Sequence, residues 1–429
     1  MKNMRLKALC LVLGAGMLWP AVGQSATELR MSWWGGNQRH QATTEAIKAF
    51  EAQNPDVKIN TEPSGWDGYL SRLSTQLAGN TEPDVMQINW NWLVMFSKNG
   101  DGFYDINRQS ANIDLSQFSS QGKQLVTMNG KLNGVPVAMT GRSMYYNPEL
   151  WKKAGVAYPQ TWEQMIAAGP AFKNTLGDDY YPFILANHDT TIMTFLNSYM
   201  VQKYNIPMID PQKKAFTYSR EQWLDYFGMY KKLVDNHVIP SMKYLSAFGK
   251  ANAWEIKPWL DGKIGGVHTW STDGTFAGSL RAPAHLEVGP YPMLPGATDA
   301  GIFFKPAMMF SIGKNSKHPE LAAKLINFLL NDPQGIKAMG LQRGVPLSAE
   351  AVKVLQQDGV LDNSQIQVQG LAQVDQLMGK IEPSPWFENP QLLSYFLDAV
   401  QRYDYGQLTL EQLADEFPQR AQRVLKKIM

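Results

Sequence analysis

Residues 29–36 read LRMSWWGG and open a stretch in which predicted strands and helices alternate. Apolar and polar side chains alternate before the two glycines, which predicts a strand that ends where the chain can turn sharply. Apolar residues at helical spacing over 46–50 predict a helix, and the Asn-Pro pair at 54–55 ends it. A second strand is predicted over 57–61.

The alternation continues with a helix whose leucines share one face over 70–77 and a strand over 84–88. Strands separated by helices predict an α/β sheet with parallel strands. In such sheets the ligand crevice lies beyond the carboxyl ends of the strands, so we expect the loops there to line a site. These loops contain the candidates Trp34, Asn37, Arg39, Asn89 and Trp90.

The chain of 429 residues is too long for one hydrophobic core, because single cores stop growing near roughly 250 to 300 residues. Two lobes are therefore expected. Three basic residues precede an apolar stretch over 8–19 that is too short to span a bilayer, a pattern typical of a signal peptide. We expect residues 1–26 to be removed and the product to be periplasmic.

Removal of those three basic residues changes the formal net charge from +2 to about −1. This charge does not indicate a nucleic-acid partner. The only cysteine, Cys10, lies in the apolar stretch, so the remaining chain offers no thiolate nucleophile and no thiolate metal site. The chain also lacks G-x-S-x-G, P-loop and H-E-x-x-H patterns. We therefore predict no catalytic residue, no cofactor and no metal site.

Residues 134–163 carry the most specific pattern in the chain. Gly-Val-Pro at 134–136 is followed by MYYNPELW at 144–151, Ala-Gly at 154–155 and PQTWE at 159–163. This stretch resembles the extracellular solute-binding proteins of ABC sugar importers, a family that includes the maltose-binding type. The resemblance extends over nearly all of the chain after residue 26.

The resemblance implies the α/β, two-lobed periplasmic binding protein fold, with discontinuous lobes joined by a hinge. Lobe 1 would comprise residues 27–136 plus 300–345, and lobe 2 would comprise 137–299 plus 346–429. Members of this family capture an oligosaccharide between the lobes and deliver it to the membrane permease of the importer. The resemblance also implies a monomer.

Sugars present flat apolar faces ringed by hydroxyl groups, so sugar sites combine aromatic platforms with a few polar groups. The chain has 13 tryptophans, any of which could equally belong to the core. Trp270 follows a segment that resembles the second-lobe strand ahead of a sugar-stacking aromatic residue in this family, so it is the first choice. Asp273 lies nearby and would accept sugar hydroxyls or anchor an arginine.

Charge distinguishes acidic from neutral cargo, because a uronate needs Arg, Lys or His whereas neutral-sugar sites commonly use carboxylates. A bidentate arginine suits a planar carboxylate, and Arg142 is the principal choice, with a solvated or structural role as the alternative. The other basic candidates are Arg39, His188, Lys305 and Arg343. We therefore predict acidic oligogalacturonides as cargo, as in family members that import pectin fragments.

Several alternatives stay open. A binding protein for neutral oligosaccharides has the same fold and aromatic platforms. A secreted polysaccharide hydrolase or lyase is the alternative from another class, although the adjacent Asp178 and Asp179 lie in a turn where we expect them to be solvated. A metal-ion importer subunit lacks clustered His, Cys and carboxylate ligands. Peptide cargo is disfavoured only by the family resemblance.

Overall fold

The computed structural model describes residues 26–66, 68–185, 190–249, 251–272, 275–381 and 383–429. Three features of the sequence predictions lie outside these residues: the signal segment up to residue 25, His188 and Asp273. Within the described residues, no helix is long and apolar enough to cross a membrane.

The described chain contains strands and helices throughout. The strands are β1 Thr27–Trp34, β2 Val57–Ser64, β3 Val85–Ile88, β4 Thr127–Met128, β5 Lys131–Leu132, β6 Val135–Tyr146, β7 Ile184–Leu185, β8 Ile209–Asp210, β9 Ala215–Phe216, β10 Gly266–Trp270, β11 Glu287–Val288 and β12 Phe304–Ile312. The helices are α1 Asn37–Gln53, α2 Tyr69–Ala78, α3 Leu93–Phe96, α4 Ser120–Leu125, α5 Pro148–Ala154, α6 Trp162–Leu176, α7 Thr191–Tyr204, α8 Arg220–Asp235, α9 Met242–Ser246, α10 Lys257–Leu260, α11 Thr275–Ser279, α12 Pro319–Asn331, α13 Pro333–Met339, α14 Ala349–Gln357, α15 Ile366–Leu377, α16 Pro390–Asp404 and α17 Leu410–Ile428. Short 3₁₀ turns cover Trp90–Trp92, Ile106–Gln109, Leu115–Gln117 and Pro385–Glu388.

The main sheet has the strand order β2-β1-β3-β12-β6-β10-β7, and β11 also pairs with β6. β1 runs parallel to β2 and β3, as the alternation of strands and helices predicts. β12 is antiparallel to both β3 and β6, so the sheet as a whole is mixed. The predicted α/β class is confirmed, with the parallel arrangement confined to part of the sheet.

Strand β6 lies between β12 and β10 and connects the two halves of the main sheet. Its first part pairs with β12 from Val135 to Gly141, and its second part pairs with β10 from Arg142 to Tyr146. All 12 residues of the strand are buried. We call the part built around β1, β2 and β3 the first lobe, and the part built around β7, β10 and β11 the second lobe.

The helices pack on these two groups of strands. α12 and α13 contact α1 in the first lobe, and most apolar side chains of α12 are buried. α14 packs on α12 and α13, where Leu355 joins Ile336 in a small apolar cluster. α15 packs on β6 and β11 of the second lobe. The contacts of α14 therefore lie in the first lobe, whereas the sequence prediction assigns this helix to lobe 2. The lobe boundaries stay a prediction.

Candidate functional site

Two cations flank Trp270 where β6, β10 and β12 meet. Trp270 on β10 is in register with Arg142 on β6, and Lys305 on β12 is in register with Thr140. Thr140 and Arg142 are two residues apart on β6, so their side chains point to the same face of the sheet, and Lys305 opposite Thr140 points to that face as well. Arg142 and Lys305 therefore approach the same indole ring. The guanidinium carbon of Arg142 lies 3.9 Å from the ring centroid, and Nζ of Lys305 lies 5.0 Å from it. Both distances are within the range of cation–π attraction.

Arg142 is held inside the molecule, with 0% of the residue exposed. Its Nη2 donates a hydrogen bond of 3.1 Å to Oγ1 of Thr190, the residue just before α7. Its main-chain N–H donates to the carbonyl of Phe303 at 2.8 Å, which fixes the backbone at the crossing between the lobes. The buried guanidinium therefore supports the partly exposed Trp270 from one side.

Lys305 is also buried and forms an ion pair with Glu388. Its Nζ also donates a hydrogen bond of 3.3 Å to Oδ1 of Asn89, which follows β3. Glu388 ends the 3₁₀ turn Pro385–Glu388, and its carbonyl accepts a hydrogen bond of 3.3 Å from Nδ2 of Asn91. We call the group formed by Asn89, Arg142, Trp270, Lys305 and Glu388 the crossing cluster.

Arg39 and Trp34 form a second group at the start of α1. Nε of Arg39 donates to the carbonyl of Gln342 at 2.9 Å, and Nη1 donates to the carbonyl of Trp34 at 3.2 Å. A Cβ atom on Gly35 would lie 2.5 Å from Cδ of Arg39. The glycine therefore lets the arginine fold back over the end of β1.

Arg343 lies next to this group but inside the first lobe. Its Nε donates to Oε1 of Gln87 at 2.8 Å, and its Nη2 donates to Oγ1 of Thr43 at 3.0 Å. Burial, and then the nearby guanidinium of Arg39, hold the pKa of Arg343 well below its usual value. The acceptors on Gln87 and Thr43 are neutral, and Arg343 lies in the interior. Its predicted contact with ligand stays a prediction.

The remaining predicted residues are placed apart from the crossing cluster. Asn37 is the exposed first residue of α1. Trp90 is buried, and its Nε1 donates to the carbonyl of Leu125 at 2.8 Å, which directs the indole into the first lobe. The structure therefore brings together Asn89, Arg142, Trp270 and Lys305, and it places Trp34, Arg39 and Arg343 in a neighbouring group.

A cavity of about 690 Å³ lies beside the same 3₁₀ turn. Its wall includes Trp386 and three lysines, Lys98, Lys214 and Lys380. Nζ of Lys214 donates to the main-chain oxygen of Met429 at 2.8 Å. No carboxylate side chain belongs to the described lining of this cavity, which combines apolar side chains with the three lysines.

The described residues contain no group of three or more His, Cys, Asp or Glu side chains that could hold a metal ion.

The sequence model of the family described as bacterial extracellular solute-binding protein matches residues 36–336, which is more than half of the chain. The chain belongs to this family. It is an extracellular solute-binding protein of ABC sugar importers, and the two-lobed fold predicted from the sequence is confirmed.

Three relatives show the breadth of the similarity. A periplasmic oligogalacturonide-binding protein from Yersinia enterocolitica, solved with saturated digalacturonic acid, is 52% identical, with a TM-score of 0.87 over 94% of this chain and 100% of the other. A de novo designed cysteine esterase is 51% identical, with a TM-score of 0.88 over 94% of this chain and 99% of the other. An arabinooligosaccharide-binding protein from Bacillus subtilis is 23% identical over 73% of this chain and 71% of its own.

Reasoning from the sequence missed two polar partners in the solute-binding protein. Thr190 follows a segment whose spacing carries no motif, and Glu388 lies 83 residues from Lys305. The two prolines that flank Glu388, in the sequence SPWFENP, are a signal for a short rigid turn. The ion pair itself depends on the return of the chain to the first lobe, which local sequence does not reveal.

We expect Arg343→Ala to lower the free energy of unfolding of the solute-binding protein by about 2–4 kcal/mol, because Gln87 and Thr43 lose a buried partner and a cavity opens. Urea denaturation measures this change. The exposed Arg281 provides the control, and Arg281→Ala should change stability by less than about 0.5 kcal/mol. Unchanged stability together with lost sugar binding would instead establish Arg343 as a ligand contact.

Proposed function

We propose that this protein binds acidic oligogalacturonides in the cleft between its lobes, in the periplasm, and delivers them to the membrane permease of an ABC importer. The observation that carries the proposal is the indole of Trp270, which has the cationic groups of both Arg142 and Lys305 close to its ring. The indole suits the apolar face of a sugar ring, and the cations suit a uronate carboxylate. The relative that is 52% identical and was solved with digalacturonic acid supports the same cargo.

Each part of the crossing cluster has a role in this proposal. Hydrogen bonds to charged groups contribute roughly 1.5–3 kcal/mol each, so two cations are enough to set specificity for an acidic sugar. Glu388 holds Nζ of Lys305 beside Trp270 and leaves a second carboxylate oxygen for a sugar hydroxyl. Asn89 adds an amide from the first lobe. The cluster therefore combines groups that both lobes supply.

The lysines beside Trp386 add to the case for acidic cargo. Lys98, Lys214 and Lys380 surround a cavity whose described lining includes no carboxylate side chain. Positive potential in a cleft raises the local concentration of anions and their association rate. An acidic oligosaccharide would therefore be attracted to this side of the molecule, whereas a neutral one would not.

A neutral oligosaccharide is the alternative cargo, and the arabinooligosaccharide-binding relative favours it. Neutral-sugar sites commonly use carboxylates to accept hydroxyl protons. In the crossing cluster the one carboxylate, Glu388, is neutralised by Lys305. The balance of charge therefore favours an acidic ligand.

An enzymatic function is the alternative to binding. The designed cysteine esterase demonstrates that a related protein scaffold can carry a catalytic site. The only cysteine of this chain is Cys10, in the predicted signal segment. We therefore propose binding without turnover. The hinge formed by β6 and β12 would let the lobes close on the ligand, and a monomer stays the predicted state.

Titration of the purified protein, followed by tryptophan fluorescence, tests the proposal. We expect saturable changes with di- and trigalacturonate and none with maltose, because maltose lacks the carboxylates. Binding of maltose alone would contradict acidic cargo. Incubation with polygalacturonate should release no shorter products, and their release by catalytic amounts of protein would contradict the binding-only function.

A further inference from the structure

A second exposed aromatic side chain lies at the carboxyl ends of the first-lobe strands. Trp34 ends β1, and Trp66 follows β2 by two residues. Trp66 is 52% exposed, whereas its aromatic neighbours Trp34, Tyr69 and Trp92 are buried. An exposed indole on top of a buried aromatic cluster is unusual, because burial of a large apolar side chain is favourable.

The buried rings hold Trp66 in place. Its ring centroid lies 5.5 Å from that of Trp92 at an interplanar angle of 23°, and 5.3 Å from that of Trp34 at 72°. Trp92 therefore covers one face of the indole, while 52% of the residue stays exposed. Tyr69 packs beneath, and its hydroxyl donates to the carbonyl of Gln87 at 2.9 Å.

This arrangement is pre-organised for stacking. A side chain that is already ordered by its neighbours loses little conformational entropy when a ligand binds. Pairs of aromatic rings in such geometries contribute attraction beyond the area that they bury. Trp66 is therefore a rigid flat surface, of the kind that sugar rings contact through their apolar faces.

The position of Trp66 also links it to the crossing cluster. β1, β2 and β3 are parallel neighbours, so their carboxyl ends meet at the crevice where ligands bind in sheets of this kind. Trp92, which stacks on Trp66, shares a 3₁₀ turn with Asn91, and Asn91 donates to the carbonyl of Glu388. A direct chain of contacts thus runs from the exposed indole to the crossing cluster.

We infer that Trp66 is a second aromatic platform of the cleft and stacks on a galacturonate ring while the crossing cluster binds a carboxylate. This inference rests on the proposed function and adds a platform on the first lobe to the one that Trp270 provides. The first lobe contributes an uncharged surface for the sugar ring, and the crossing cluster contributes the charge. Binding energy from Trp66 should therefore depend little on salt, whereas the charged contacts weaken as salt increases.

Calorimetric titration of Trp66 variants with digalacturonate tests this inference. Truncation of an aromatic residue that contributes to binding costs at least about 1 kcal/mol, so Trp66→Ala should weaken binding by about fivefold or more at both low and high salt. Trp66→Leu keeps apolar area without a π face and should lose most of the affinity, whereas Trp66→Phe should retain most of it. The partly buried Trp254 packs on Phe276 in the second lobe and provides the control, because Trp254→Ala should bind as the wild type does.

Because about half of Trp66 is exposed, its variants should stay folded, and the loss of its ring contacts should lower the unfolding temperature only modestly, which thermal denaturation verifies. Wild-type affinity in Trp66→Ala or Trp66→Leu would overturn the inference and leave the proposed function intact. A wild-type protein that binds no galacturonate would instead overturn the proposed function, together with the inference that rests on it.

Discussion

Trp270→Ala is expected to weaken digalacturonate binding by about 30- to 1,000-fold, which corresponds to the 2–4 kcal/mol typical of a buried aromatic contact at the centre of an interface. The variant removes the sugar platform and also the ring against which Arg142 and Lys305 are positioned. Isothermal titration calorimetry measures the loss. Trp270→Phe should recover part of the affinity, because a smaller ring still offers a π face to both cations.

Trp254→Ala is the matched control for the Trp270 variant, since Trp254 is a partly buried tryptophan of the same lobe outside the crossing cluster. We expect it to change affinity by less than about twofold, which is small beside the energy of an interface hot spot. Wild-type affinity in Trp270→Ala would contradict the assignment of the platform. Equal losses in the two alanine variants would indicate a general effect on the fold.

Lys305→Met is expected to weaken digalacturonate binding by about 100-fold or more. The variant removes a charged hydrogen bond of roughly 1.5–3 kcal/mol and leaves the carboxylate of Glu388 without its cation. That carboxylate would then repel a uronate. Calorimetry of the wild type and the variant at one salt concentration measures the change.

The double variant Lys305→Met with Glu388→Gln separates the two effects, because it removes the repulsion as well as the attraction. It should bind digalacturonate more tightly than Lys305→Met alone and more weakly than the wild type. Lys231 pairs with Asp235 on α8, so Lys231→Met is the control and should leave affinity unchanged. Retention of wild-type affinity in Lys305→Met would exclude this lysine from recognition of the carboxylate.

Periodicity alone predicted much of the first lobe. The strands expected over 57–61 and 84–88 correspond to β2 Val57–Ser64 and β3 Val85–Ile88. These predictions succeed because the hydrophobic pattern of a half-buried element is local. The antiparallel insertion of β12 between β3 and β6 depends on a segment that returns from far along the chain, and no local pattern encodes it.

The crossing cluster was predicted in part. Arg142, Trp270 and Lys305 were chosen separately, and strand register brings them around one ring. The complete burial of Arg142 could not be foreseen, because arginine is almost never fully buried unless it is paired. The sequence also did not predict the exposure of Trp66, because a tryptophan between a strand and a helix usually belongs to the hydrophobic core.

Calorimetric titration with digalacturonate and with its methyl ester tests most directly whether the cleft recognises an acidic sugar. The ester keeps the rings and hydroxyls and removes the negative charges. We predict that the acid binds at least about 100-fold more tightly than the ester, as expected for two charged hydrogen bonds, and that its affinity falls as salt increases. Equal affinity for the acid and the ester, or a preference for the ester, would contradict the account.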